Sequence, residues 1–153
     1  MSRPGEYAAD PTEGITNPND LPTPKKQFRS RVRTKCRCPH CNYLARQHIV
    51  RKRSLHHLGD SLSGRPIDII LQYSIHYCCK CKIFFNVDTT DLAPPKASYT
   101  HAVIALAIRL VVEDGLPYRM ASWHLWRDHW VFVPFATIQN WVEAAGGKKL
   151  LHH

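Results

Sequence analysis

Acidic residues are scarce along much of this 153-residue chain, and none occurs between Asp20 and Asp60. The chain also lacks any run of about 18 apolar residues, which excludes a helical membrane span. Its start, Met1-Ser2-Arg3-Pro4-Gly5-Glu6, has no apolar core of the kind a signal peptide needs. A reducing, cytoplasmic setting is therefore expected, and a disulfide framework is disfavoured. No His-x-Glu precedes a Pro-Cys-x-x-Cys, so the pattern of a zinc deaminase is missing. Internal repeats are absent, and the only biased tract is a Pro-rich start. Apolar residues at 44% and charged residues at 22% suit a folded protein.

What is present is positive charge and cysteine. Lys and Arg number 21 against 12 Asp and Glu, a formal charge of +9. Such an excess points to a polyanionic partner. Eleven basic residues crowd into one stretch: Lys25, Lys26, Arg29, Arg31, Arg33, Lys35, Arg37, Arg46, Arg51, Lys52 and Arg53. A block of this kind can neutralise several phosphates, with an affinity that falls steeply in salt. Alternation at Arg29, Arg31 and Arg33 places them on one side of an extended arm. Arg29, Arg31, Arg33, Lys35, Arg37, Arg51, Lys52 and Arg53 are thus candidate DNA contacts.

The six cysteines fall in two clusters, Cys36-Arg37-Cys38-Pro39-His40-Cys41 and Cys78-Cys79-Lys80-Cys81. Each contains a Cys-x-x-Cys pair. Two such pairs can bring four thiolates to one tetrahedral Zn²⁺, because each makes a tight turn with both sulfurs facing one point. Cys38, Cys41, Cys78 and Cys81 are the preferred ligands, since both pairs then share one spacing. Cys36 could replace Cys38, Cys79 could replace Cys78, and His40 lies inside the first knuckle. Four thiolates leave no open position for water, so the metal is read as structural rather than catalytic.

The pattern along the chain predicts an α+β fold. Residues 1–24, with Pro4, Pro11, Pro18, Pro22 and Pro24, read as a disordered tail. Residues 25–35 read as a basic arm, and 36–91 as a small antiparallel zinc ribbon. Within the ribbon, 44–50 can pair as an early strand. Ile67, Ile69, Leu71, Tyr73, Ile75 and Tyr77 alternate with more polar residues, and Ile83-Phe84-Phe85-Asn86-Val87 closes the sheet. Residues 92–97 form a Pro-stiffened linker.

From 98 to 147 the period is helical. Ser98 is a candidate N-cap for a buried helix over His101–Glu113. Asp114-Gly115-Leu116-Pro117 ends it, a second helix covers Tyr118–His129, and a third starts near Pro134 and stops at Gly146-Gly147. Ile138, Trp141, Val142 and Ala145 form the inward stripe of the third. Ala136, Thr137, Gln139, Asn140 and Glu143 then face outward. Three short helices of this kind fit a helix-turn-helix. Gln139 and Asn140 suit bidentate pairing with adenine, and Thr137 suits a thymine methyl or a phosphate. Residues 148–153 are a C-terminal remnant.

These motifs together resemble the N-terminal half of bacterial insertion-sequence transposases. Cys38-Pro39-His40-Cys41 is similar to the opening of that family's zinc ribbon. Arg53-Ser54-Leu55-His56-His57-Leu58, Gly64-Arg65-Pro66-Ile67 and the run from Tyr77 to Phe85 look like its core. Asp114-Gly115-Leu116-Pro117-Tyr118-Arg119 and Phe135-Ala136-Thr137-Ile138-Gln139-Asn140-Trp141-Val142 resemble its helix-turn-helix. The resemblance spans about residues 36–146. It implies recognition of mobile-element ends in double-stranded DNA, with a full-length transposase or a second copy as partner and a nucleoid-associated location. The family's three-carboxylate nuclease normally follows, but only residues 148–153 do so here. The expectation is a non-enzyme.

Two other readings compete. One is an RNA-binding or ribosome-associated zinc protein, stacking unpaired bases on Tyr73, Tyr77 and Phe84. The other is a thiol enzyme at Cys78-Cys79-Lys80-Cys81, with Lys80 and Lys82 lowering a thiol pKa.

Overall fold

The computed structural model describes residues 22–151. The expected tail therefore lies outside the described residues, apart from 22–24. The architecture is α+β, with five strands followed by three helices. The strands are β1 (Lys25–Arg31), β2 (Lys35–Arg37), β3 (Leu44–Asp60), β4 (Arg65–Cys78) and β5 (Ile83–Asn86). The helices are α1 (His101–Val112), α2 (Tyr118–His129) and α3 (Phe135–Leu151).

The sheet order is β1-β4-β3-β2, and β5 also pairs with β4. A long β3–β4 hairpin forms its spine. Gly64 closes the turn by donating its N–H to the Asp60 carbonyl (2.9 Å), at a φ of 66° that favours glycine. The Asp60 side chain accepts from the Leu62 N–H (3.0 Å), a local Asx turn. β3 runs to Asp60, well past the expected end at Val50. Its basic triple, Arg51-Lys52-Arg53, sits inside the strand, with Leu55 as the buried anchor.

The sheet is mixed rather than antiparallel. Arg65, at the start of β4, donates to the carbonyls of Thr23 (2.9 Å) and Pro24 (3.3 Å), just ahead of β1. The Arg33 N–H, just past the end of β1, donates to Ser74 Oγ (3.0 Å). β1 and β4 therefore run the same way. The basic segment is an edge strand of the sheet, not a free arm.

β4 changes face midway. Ile67, Ile69 and Leu71 are buried, as the alternation predicts, but beyond Tyr73 the buried positions are Ser74, His76 and Cys78. Ile75 and Tyr77, expected inward, lie on the other face. The switch falls where the edge partner changes. β1 has ended, and Val87, following β5, donates its N–H to the Ser74 carbonyl (3.0 Å).

Two compact units divide the chain: 26–57 with 68–101, and a second that joins Leu58–Ile67 to the helices from Ala102 on. The core of the first is Leu55, Ile69, Leu71 and Ala93, with Tyr73, Leu92 and Ala97 packed on it. Each fully buried leucine contributes about 1.5–3 kcal/mol. Residues 92–97, read as a linker, thus supply part of a core. Ser98 does not cap α1. Its carbonyl accepts the His56 N–H (2.8 Å), Tyr99 bridges His56 in parallel, and the helix starts at His101.

In the second unit α1 buries one face, Val103, Ala107 and Leu110, and leaves Val112 52% exposed, so it is not buried all round as expected. Gly115 (φ 72°) turns the chain out of α1, and the Leu116 N–H returns to the Leu110 carbonyl (3.0 Å). α2 ends on Trp130 in the left-handed region, where the Trp130 N–H caps the Trp126 carbonyl (3.2 Å) and the Val131 N–H caps the Leu125 carbonyl (3.4 Å). The Trp130 ring packs edge-on against Trp126, at 5.3 Å between centroids. Gly59 makes room for it: a Cβ there would lie 2.3 Å from Trp130 Cβ. α2 packs on α3 through Arg119, whose guanidinium lies 4.1 Å from the Phe135 ring centroid. α3 continues through Gly146-Gly147 to Leu151 instead of stopping there.

Candidate metal centre and nucleic-acid interface

Each cysteine pair closes a tight turn built the same way. In the first, Asn42 adopts φ 64° and donates its N–H to the Cys38 carbonyl (2.9 Å). In the second, Lys82 adopts φ 56° and donates to the Cys78 carbonyl (2.7 Å). Backbone N–H groups also point at sulfur: His40 to Cys38 Sγ (3.5 Å) and Cys81 to Cys78 Sγ (3.4 Å). These donors suit thiolates rather than thiols. Arg37 braces the first turn through the Asn42 carbonyl (3.1 Å).

The two turns converge. The sulfurs of Cys38, Cys41, Cys78 and Cys81 all lie within 4.8 Å of one another. Cys38 and Cys81 are 3.9 Å apart, and Cys41 and Cys78 are 3.4 Å apart. Tetrahedral bonds of about 2.3 Å to zinc place sulfurs ~3.8 Å apart, so the set fits a metal of that size. Burial opposes ionisation of Cys38, but the backbone N–H groups of Cys41 and His40 outweigh it and hold the thiol down to about 6. Cys81 is pushed up to about 12, first by its hydrogen bond with Cys41 and then by burial. A divalent cation held by Cys38, Cys41, Cys78 and Cys81 would remove this conflict by taking every sulfur as thiolate.

The spare thiols stand apart from the cluster. Cys36 lies in β2 opposite Ala45. Cys79 is exposed and interacts with the Tyr43 hydroxyl, whose pKa it raises. His40 contributes its backbone N–H. Among the described residues these four cysteines are the group arranged to hold a metal.

Behind the cluster lies a polar network that the alternation pattern concealed. His76 is fully buried, with Nδ1 3.2 Å from the Ala45 carbonyl and Nε2 2.8 Å from Ser74 Oγ. A carbonyl only accepts, so Nδ1 carries the proton and Nε2 accepts from the Ser74 hydroxyl. Ser74 Oγ in turn accepts the Arg33 N–H. Three strands' ends are thus tied two residues from Cys78, and Phe85 stacks on the imidazole at 5.6 Å.

No family model, curated protein or solved structure matches this chain.

The basic candidates gather in the unit that holds the four cysteines. Residues 26–57 and 68–101 carry thirteen Lys and Arg against three Asp, and the rest of the sequence carries eight against nine acidic residues. Arg29, Arg33, Lys35, Arg37, Arg51 and Lys52 are exposed. Arg31 is half-buried and paired with Asp91 (2.7 Å), which it holds below the usual carboxylate range. Arg53 is half-buried and lines a hollow of about 370 Å³ with Tyr73 and Lys96. Arg29 and Arg31 share one side of β1 as expected, whereas Arg33 lies beyond the strand.

The α3 candidates belong to the other unit. Ala136 and Asn140 are exposed, and Thr137 and Gln139 are half-buried. Gln139 donates to Glu143 (3.2 Å), which places a carboxylate beside it. No described helix is long and apolar enough to cross a membrane.

Proposed function

We propose that this chain is a zinc-structured DNA-binding protein of the transposase type, which recognises duplex DNA at mobile-element ends. The observation that carries the reading is the charge distribution. The unit that gathers four cysteines also holds thirteen of the 21 basic residues and only three acids. A sheet pinned at one end by a metal is a rigid platform for phosphate contacts, which fix register but carry little sequence information. Exposed Arg29, Arg33, Lys35, Arg37, Arg51 and Lys52 supply them.

Sequence preference is assigned to α3 as a recognition helix, in a zinc ribbon plus helix-turn-helix arrangement. Exposed Asn140 suits a bidentate pair with adenine. Gln139 is held by Glu143 and contributes less. The metal is zinc, held by Cys38, Cys41, Cys78 and Cys81, and its role is to order the sheet. A full-length transposase or a second copy of this chain is the proposed protein partner at element ends.

The test is selection of binding sites from a random duplex library by the zinc-loaded chain. Expected is enrichment of one motif, with an adenine preference that Asn140→Ala relaxes. Recovery of unenriched duplex would contradict sequence-specific recognition. Preference for single-stranded RNA over any duplex would move the function to an RNA-binding zinc protein.

A further inference from the structure

The outer face of the four-cysteine sheet carries a row of rings that the phosphate contacts proposed above do not involve. Tyr77 of β4 and Phe84 of β5 are direct partners across the strands, with ring centroids 4.8 Å apart. His48 of β3 reaches the same phenyl ring at 4.9 Å. Phe84 is 60% exposed, and Tyr77 and neighbouring Ile49 are also exposed. Single exposed apolar residues are ordinary, but rings from three strands in mutual contact form a patch. This face arises from the switch at Ser74: it turns His76 and Cys78 inward and so leaves Tyr77 outward.

Beside the rings lies a hollow of about 340 Å³, bordered by His48, Ile49, Arg51, Ile75, Phe84 and Asn86. That volume is at the small end of the ~300–1,000 Å³ typical of ligand sites. The chemistry of the rim is specific. Phe84 offers a flat π-face, the Asn86 amide can both donate and accept along a base edge, and Arg51 can meet a phosphate. At the knuckle, Lys80 lies 5.2 Å over the Tyr43 ring, an aromatic–cation pair. Basic side chains interleaved with aromatic rings are what single-stranded nucleic acid requires: charge along the backbone and platforms for unstacked bases.

We propose that the His48–Tyr77–Phe84 row binds unpaired bases of single-stranded DNA, one base stacking on Phe84 with its edge on Asn86 and its phosphate on Arg51. The proposal rests on the DNA-binding reading and adds to it a strand-selective row of rings, which shares Arg51 with the duplex phosphate contacts. Unpaired DNA is the occupant because the patch lies on the strongly basic unit, which disfavours a cationic or purely apolar partner.

The test uses the full zinc-loaded chain, fluorescein-labelled oligo-dT of about twelve nucleotides and a labelled duplex, read by anisotropy. Phe84→Ala should weaken oligo-dT binding about tenfold and change duplex affinity by less than about twofold. Phe84→Tyr, which keeps a stacking ring, should restore oligo-dT binding, and unchanged zinc content shows that the fold is intact. Equal loss for both DNAs, or no loss for oligo-dT, overturns the proposal. So does tighter binding of oligo-rU than of oligo-dT, which would assign the rings to RNA. Self-association of the chain that Phe84→Ala abolishes would assign them to a second copy. Duplex binding without oligo-dT binding ends this proposal alone, whereas failure of both DNAs ends the DNA-binding reading as well.

Discussion

Nε2 of buried His76 accepts the hydroxyl hydrogen of Ser74 at 2.8 Å, and through that serine the imidazole is linked to the backbone of Arg33. The pair sits where β1 gives way to β5 along the edge of β4. Its value lies in satisfying buried polar groups where the sheet changes its inner face. Ser74→Ala leaves the Arg33 N–H and the imidazole nitrogen without partners. A destabilisation of about 1–3 kcal/mol is expected, read as a lower denaturation midpoint at constant slope. An unchanged midpoint would show that the network contributes nothing.

The four thiolates should act as one unit. Cys41→Ser and Cys81→Ser should each abolish stoichiometric zinc binding and the cooperative melting of the metal-bearing unit, because the small core around Leu55 and Leu71 gives limited support by itself. Cys36→Ser and Cys79→Ser should leave zinc content intact, since neither thiol belongs to the cluster. Metal analysis and thermal melting of the four variants check both statements together.

Gly59 is required for steric reasons. A methyl at that position meets Trp130 Cβ at 2.3 Å and two backbone carbonyl oxygens at 2.9 Å. Gly59→Ala must push the hairpin away from a tryptophan held in a left-handed cap. A loss of about 1–3 kcal/mol or more is expected from this overpacking. A melting temperature equal to wild type would contradict the packing described.

His57 gives the fold a pH dependence of known sign. Burial, then the nearby Arg29 charge, lowers its pKa, and its Nδ1 lies 2.8 Å from the hydroxyl of buried Thr100. The folded chain thus takes up a proton less readily than the unfolded chain. Stability from this group is complete above the unfolded value of about 6.5 and declines as pH falls below it. His57→Gln should reduce the difference in urea midpoint between about pH 7.5 and pH 5.5. Acid release of the metal affects both proteins alike, so the comparison isolates the histidine. Identical pH profiles would remove His57 from the explanation.

What the sequence revealed and what it hid follow from the range of the forces involved. The cysteine spacing is local, and the structure brings those four sulfurs together. α2 is local too, and its 3.6-residue period predicts Tyr118–His129, the bounds observed. The turn at Gly64 was marked by its own chemistry. The pairing of β1 with β4 joins residues about forty positions apart, and a basic strand carries no apolar pattern to announce it. The burial of Ser74 and His76 depends on which neighbour lies along each stretch of β4, and no period of two encodes that. Ala93 was hidden by the prolines after it, and the continuation of α3 through two glycines runs against their low helix propensity. The exposed rings of Tyr77 and Phe84 were visible as residue types. The contact of His48 with them required the sheet.

The central claim is that the metal-bearing unit grips DNA through its phosphates. The most direct measurement is the affinity of the zinc-loaded chain for a fixed duplex between about 50 and 200 mM salt. Each phosphate neutralised contributes about −0.9 to the slope of log K against log salt. With six exposed candidates on 29–52, a slope of about −4 or steeper is expected, and Arg51→Ala should reduce it by about one unit. A slope near zero, or no duplex binding at low salt, would contradict the claim.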